Sequence, residues 1–293
     1  MKTILITGSN GFIANNFCKK FADKYKFVLV SHYPQVNHIT LKQLRTNHDL
    51  INSIDAVLNL AGANIGAKRW TKTRKKELLQ SRVEFTRELV DIFNKYNNHA
   101  HIISASAISI YDFNTVNDEN TLIDYSKYKN FSQQITKRWE QNALKYDGLV
   151  TITRFGIVLS CNGGIFRKML RPFLFGVGGQ LGNGQQGFPW IALEDLLSAL
   201  DFIIEKGYGG IFNLTAPEKI NNEQFTNCIG HIWHKPTFMK LPAWLIKLVW
   251  GQMGKELLLS GNQVIPQRLI DLNFTFKYPY IQNCLSAIKD SSC

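Results

Sequence analysis

The sequence has no CxxC pair and no regular cysteine spacing: Cys18, Cys161, Cys228, Cys284 and Cys293 are scattered over 293 residues. That scatter excludes a zinc-ribbon framework and points to reduced thiols in a cytoplasmic protein rather than a disulfide scaffold. Long apolar runs are also missing. The richest, Ala243 to Leu259, is broken by Lys247, Gly251, Lys255 and Glu256, so it reads as a core-facing or amphipathic helix and no membrane partner is expected. Nothing at the start reads as a secretory leader, because Met1-Lys2 leads directly into a β-type run. His231 and His234 could share a helix face, but no third ligand accompanies them, so no metal is expected. Acidic residues are few, 22 against 34 Lys and Arg, for a net charge of +12. The densest basic run, Lys68-Arg69 with Lys72, Arg74, Lys75 and Lys76, comes without a nucleic-acid motif. It reads as a solvated helix face that attracts a phosphate-bearing small molecule, not nucleic acid.

The sequence does carry a strand that turns sharply into a helix at its very start. Ile4-Leu5-Ile6-Thr7 is a short buried strand by pattern, and Gly8-Ser9-Asn10-Gly11-Phe12-Ile13-Ala14 opens a helix running to about Lys24. Such a turn aims the free N–H groups and positive dipole end of the helix at one point, which suits a phosphate. Gly8 permits the tight turn, Gly11 lets backbone approach a pyrophosphate, and Ala14 allows close helix–strand packing. A second strand, Lys26 to Ser31, ends at His32. An acid at that strand end would accept from the ribose 2′-hydroxyl of NAD. No acid occurs between Asp23 and Asp49, and Ser31 and His32 stand there instead, so NADP is preferred over NAD.

Further strands are expected at Ala56–Gly62, at His101–Ser104 and from Leu149 to Leu159, with helices at about Thr71–Tyr96 and Phe131–Tyr146 between them. Alternating strands and helices predict an α/β fold, a Rossmann-type doubly wound parallel sheet with helices on both faces. Leu60, Ala61 and Gly62 end a cofactor strand, and Glu77 and Arg82 lie on the helix that follows it. Beyond Ser160 the texture changes to glycine-rich loops and then to helices with basic and aromatic residues. Residues 1–160 therefore read as the dinucleotide domain and 161–293 as a smaller C-terminal α/β lobe for substrate, with the chain crossing between them.

These residues resemble an extended short-chain dehydrogenase/reductase. The resemblance rests on Thr7-Gly8-x-x-Gly11-x-x-Ala14, Asn59-Leu60-Ala61-Gly62, Ser104-Ala105-Ser106-Ala107 and Arg154-x-Gly156. Lys68-Arg69-Trp70, Ser81-Arg82, Trp139-Glu140, Phe188-x-Trp190-Ile191 and Val264-Ile265-Pro266-Gln267-Arg268 are similar to an atypical epimerase-family branch, also labelled SulA-like after a cell-division inhibitor. The resemblance implies NADP contact by Gly8, Ser9, Asn10, Gly11, Phe12, Ile13, Ser31, His32, Leu60, Ala61, Gly62, Glu77, Arg82 and Val158. Two departures stand out. The branch's arginine after Ser31 is His32 here, and its Trp-Ile-His becomes Trp190-Ile191-Ala192.

Reductases of this kind use a tyrosine to move the hydroxyl proton, a lysine one helical turn on to lower its pKa, and a serine to position the oxygen. Ser106 holds the serine position, but the resemblance places Phe131 and Ile135 where the pair belongs. Tyr111 follows the Ser106 strand, and Tyr125-x-x-x-Lys129 has the right spacing in a polar loop; both are candidate proton carriers, with packing or chance the plainer reading. Two functions follow. One is an NADP-dependent oxidoreductase or nucleotide-sugar epimerase on a small-molecule substrate. The other is a non-catalytic NADP-binding sensor or regulator, linked to cell division by the branch label. Analogy with extended reductases adds a homodimer to the expectation.

Overall fold

The computed structural model describes residues 1–32, 36–97 and 99–291. Seven parallel strands form the central sheet: β1 (Thr3–Thr7), β2 (Lys26–Val30), β3 (His38–Ile39), β4 (Ala56–Asn59), β5 (His101–Ala107), β6 (Val150–Phe155) and β7 (Gly210–Leu214). Their order across the sheet is β7-β6-β5-β4-β1-β2-β3. The chain reverses direction of travel at β1, which has β2 on one side and β4 on the other. In open parallel sheets that switch point, at the carboxyl ends of the strands, is where a crevice for ligands opens.

Successive residues of the central strands point to opposite faces, and the cores follow that alternation. Ile4, Ile6, Leu58 and Ile103 pack on one face against Phe17 of the helix Phe12–Lys20 and against Leu196, Leu200 and Ile203 of the helix Leu193–Lys206. Leu5, Val57 and Ile102 pack on the other face against Leu89, Val90 and Phe93 of the helix Phe85–Tyr96. The fold is α/β and Rossmann-like, with helices on both faces. Residues 193–214 supply the last helix on this face and the last strand of the sheet.

Two expected elements are interrupted. The strand expected from Leu149 to Leu159 breaks at Gly156, where a β-carbon would stand 2.9 Å from the Pro189 carbonyl oxygen. Past the break, Ile157–Leu159 leaves the central sheet and pairs with Trp190–Ala192. The helix expected from Thr71 to Tyr96 carries one π-helical turn, Gln80–Glu84, between Lys72–Leu79 and Phe85–Tyr96.

A further hydrophobic core forms around Phe166, Phe188, Trp190, Phe225, Trp233 and Leu285. The helix Ala243–Leu257, packed through Met253 on Trp70 and Phe131, is kinked at Gly251, which takes φ 59° and ψ −134° with the Arg69 side chain packed against it. Among the described residues no helix is long and apolar enough to cross a membrane. Cys18, Cys228 and Cys284 are free thiols, whereas Cys161 is disulfide-bonded. The expectation of uniformly reduced thiols does not hold at Cys161.

Candidate functional site

The glycine turn sits at the switch point. Gly8 takes φ +64°, and a β-carbon there would lie 2.7 Å from the Leu60 carbonyl oxygen. Only glycine satisfies both the left-handed backbone and the close approach of the loop that follows β4. Gly11 is the N-cap of the helix Phe12–Lys20 and offers no side-chain cap, so the first amides of that helix have no side-chain acceptor. Ala14 is buried behind them. Phe12 packs against Gly163 and Gly164, fastening the turn to the segment that follows Leu159. Ser9 is buried, Asn10 is exposed and Ile13 half-buried.

Below the turn, a line of buried polar groups fixes the strand ends. Thr7 Oγ1 donates to Asn59 Oδ1 at 2.7 Å and accepts from the Ala61 amide at 3.2 Å. The Asn59 amide donates in turn to Thr86 Oγ1 at 2.9 Å and Ser104 Oγ at 3.2 Å. Thr86 also receives the indole N–H of Trp139 at 3.1 Å. Satisfied networks of this kind set a unique geometry for the backbone above them.

Arg82 lies in the π-helical turn, and its Cζ stands 3.1 Å from where a β-carbon on Gly62 would be. π-Turns insert an extra residue into a helix and recur at functional sites. Here the turn presents both Ser81 and Arg82 to the segment after β4: Ser81 Oγ accepts from the Ala63 amide at 3.0 Å. The guanidinium rests 5.3 Å from the Trp139 ring centre. Its Nη1 is buried with no hydrogen-bond partner. Burial, with some repulsion from Arg74, pulls its pKa down to about 10. Glu77 does not neutralise it. That carboxylate is exposed and pairs with Arg74 Nη1 at 2.5 Å, and its hydrogen bond with Arg74 holds its pKa below the usual value.

At the other end of the crevice, Ser31 is buried and its amide donates to Ile39 O at 2.9 Å, while His32 is exposed. Ser9 Oγ donates to Val30 O at 2.9 Å and contacts His38 Nδ1 at 2.8 Å. Val158 stands opposite Ile191 in the two-strand pairing and packs on the first core.

Ser106, expected to orient the substrate, and Tyr111, a candidate proton carrier, share one buried network, from which Tyr125 stands apart. Ser106 Oγ donates to Glu140 Oε1 at 2.6 Å. Arg154 grips the same carboxylate in two bonds of 2.9 and 2.8 Å and donates to Tyr111 Oη at 2.8 Å. Tyr111 Oη donates to Asn213 Oδ1 at 2.9 Å. Burial works against the Arg154 charge, but the hydrogen bonds and attraction from Glu140 outweigh it and raise its pKa. Burial likewise raises the Tyr111 hydroxyl. Tyr125 stands apart on a short 3-10 turn, 41% exposed, edge-on to Tyr128.

Phe131 opens the helix Phe131–Ala143 and packs with Trp70, Leu78, Ile135 and Met253 in an apolar cluster. Lys75 Nζ lies 5.1 Å from the Phe131 ring centre. Sequence reasoning missed Glu256, whose carboxylate reaches from the helix Ala243–Leu257 to cap this helix. It accepts from the amides of Phe131 and Ser132 at 3.2 and 2.8 Å and from Ser132 Oγ at 2.7 Å. Its only signal was a charge interrupting an apolar stretch. Glu140 and Arg154 were visible as motif residues, but not as partners.

Comparison with known proteins places this geometry. Residues 4–215 match the NAD dependent epimerase/dehydratase family, and residues 241–288 match a domain of unknown function, DUF1731. An epimerase family protein of Staphylococcus saprophyticus is 33% identical over 97% of this chain and 98% of its own. One from Staphylococcus aureus is 32% identical, over 97% and 98%. The crystal structure of human epimerase family protein SDR39U1 (isoform 2) with NADPH superposes with TM-score 0.91 at 29% identity, covering 98% of this chain and 99% of that one. UDP-glucuronic acid 4-epimerase of Bacillus cereus, in complex with NAD, shares the fold at TM-score 0.74 and 16% identity, covering 98% and 97%. With the family match spanning residues 4–215 and the relatives matching almost end to end, the chain belongs to the NAD dependent epimerase/dehydratase family.

Proposed function

We propose that this chain binds NADP along the carboxyl edge of its sheet and acts as an NADP-dependent oxidoreductase or epimerase on a hydroxyl-bearing small molecule, a nucleotide sugar being the leading class. The observation that carries the cofactor reading is the Arg82 Nη1 donor, buried and unpartnered beneath Gly62. A buried guanidinium without an anion is costly, and the diphosphate of a dinucleotide over the glycine turn would supply one. The uncapped amides after Gly11 add to that attraction. NADPH in the human relative agrees with the choice of phosphorylated cofactor, although the more distant Bacillus cereus epimerase carries NAD.

When bound, the nicotinamide supplies reversible hydride exchange with a substrate carbon. The chain's own residues would do the remainder. Gly8 to Ile13 receive the diphosphate, Leu60, Ala61 and Gly62 give the cofactor a flat backbone, and Arg82 balances its charge. Ser31 and His32 flank the adenosine ribose without a carboxylate, which favours NADP over NAD. Trp70, Phe131 and Met253 form an apolar cluster that would shield the reacting end from water, Phe131 standing where the resemblance places the family's tyrosine.

A second reading has its own observation. Phe131 and Ile135 replace the expected tyrosine and lysine, and the hydroxyls of Ser106 and Tyr111 are already bonded to Glu140 and Asn213. These features favour a non-catalytic NADP-binding sensor or regulator, of the division-linked kind that the branch label implies. Calorimetric titration of cofactor-stripped protein with NADPH and NADH tests the shared part. NADPH binding at least tenfold tighter supports it, and binding of neither overturns it. NADPH oxidation in the presence of carbonyl probes and 4-keto nucleotide sugars then separates enzyme from sensor. Turnover that survives both Ser106→Ala and Tyr111→Phe would remove those residues from the mechanism.

A further inference from the structure

The strand β3 is only two residues long, yet it puts one imidazole against the glycine turn. His38 pairs with Leu29 and Ile39 with Val30, and the Ser31 amide bonds to Ile39 O. This parallel ladder sets His38 beside the carboxyl end of β2, from which Ser31 and His32 emerge. Across that strand end, the Ser9 hydroxyl lies 2.9 Å from Val30 O and 2.8 Å from His38 Nδ1. A serine hydroxyl has one proton. With that proton on the Val30 carbonyl, His38 Nδ1–H is the donor to Ser9, and Nε2 is left over. Among the described residues Nε2 of this half-buried ring has no hydrogen-bond partner.

We infer that His38, anchored by Ser9, is the residue that reads the 2′-phosphate of NADP, a role that rests on the cofactor reading above. Three observations converge on it. Ser9 follows the first glycine of the phosphate turn, so a ring bonded to Ser9 borders the adenosine end of the crevice. The free nitrogen belongs to a side chain that can offer an N–H and a positive charge to a phosphate dianion. Among the described residues, the other cation-forming side chain at the end of β2 is the exposed His32, which lacks the fixed charge and forked donors of an arginine. A second imidazole held by Ser9 restores a two-donor grip from two separate elements.

The test is calorimetry of NADP⁺ and NAD⁺ against the full-length wild type, His38→Ala, His38→Gln and His38→Arg. The inference expects His38→Ala to weaken NADP⁺ on the order of tenfold or more, as loss of a charge-assisted hydrogen bond does, and to leave NAD⁺ within about twofold. His38→Arg should keep or strengthen the preference for NADP⁺. His38→Gln, which keeps a polar group next to Ser9, serves if the alanine variant fails to fold and should show the same selective loss. Equal loss of both cofactors would reduce His38 to a prop for Ser9 and overturn the inference alone, as would no loss of either. A wild type that binds neither cofactor would bring down the cofactor reading and this inference with it.

Discussion

The guanidinium carbon of Arg82 stands 3.1 Å from the point where Gly62 would carry a β-carbon, so the cation lies directly against backbone at the end of β4. A charge buried there without a partner costs the fold free energy, which the proposed cofactor would offset. Replacing Arg82 with Met removes a desolvated charge while keeping the contact with Trp139. The expected result is NADPH binding weakened by one to two orders of magnitude with melting temperature unchanged or raised. Gly62→Ala should weaken binding in the same direction by displacing the guanidinium. Calorimetry and thermal denaturation check both variants. A large drop in melting temperature for Arg82→Met with binding intact would show that the arginine is structural.

The apolar floor beneath the expected substrate position predicts what happens if the missing pair is put back. Ile135 is buried in the cluster of Trp70, Leu78 and Met253, and the Glu256 carboxylate that caps this helix is already held by Phe131, Ser132 and Gln252. Ile135→Lys should cost roughly 2–5 kcal/mol in urea unfolding, the penalty of an unpaired buried charge. Phe131→Tyr alone should be mild, because that ring retains a little exposure at its edge. The double variant should therefore lose stability without gaining NADPH oxidation. A double variant as stable as wild type with new turnover would mean that the pocket still accommodates the ordinary acid–base pair.

How far the site could be read in advance depended on whether its contacts are local. Gly8, Gly11 and Ala14 act within one turn of chain, so their spacing alone predicted the sharp strand-to-helix turn and the fold around it. Arg82 was legible as a motif residue, but its π-turn was not, because one inserted residue hardly changes a hydrophobic pattern. Glu77 was expected to face the site, yet Arg74 three residues earlier captures it at the surface. Ser106, Tyr111, Glu140, Arg154 and Asn213 come from five segments, and only tertiary packing shows that they satisfy one another. His38 escaped notice because a two-residue strand leaves no periodicity to read.

Glu256 ties two helices together through its carboxylate. It caps the helix Phe131–Ala143 from the kinked helix Ala243–Leu257 and is itself held by Gln252 Nε2 at 2.7 Å. Glu256→Ala would leave two amides and a hydroxyl at a buried helix end without an acceptor. A loss of roughly 2–4 kcal/mol is expected from unsatisfied donors of this kind, read as a shift in the urea midpoint. Glu256→Gln keeps one carbonyl acceptor and should lose about half as much. Equal, small effects for both variants would show that water replaces the carboxylate at this helix end.

Stability toward acid should depend on a residue far from the cofactor. His101 begins β5, bonded through Nε2 to Thr151 Oγ1 at 2.7 Å, with Nδ1 buried and unpartnered. Burial, and secondarily the charge of Lys2, pushes its pKa down from 6.5 to about 4. The folded protein therefore favours neutral imidazole, while the unfolded chain takes a proton at the ordinary pH. Stability from this group is complete above pH 6.5 and is lost as pH falls towards 4. The whole loss is on the order of 3 kcal/mol, from the size of the shift. His101→Gln cannot protonate, so its unfolding free energy should fall less steeply than wild type between pH 7 and pH 4, even if it starts lower. Urea titrations at several pH values in that window compare the two slopes. Parallel slopes would mean that the ring finds a partner for its second proton and that acid acts on the carboxylates alone.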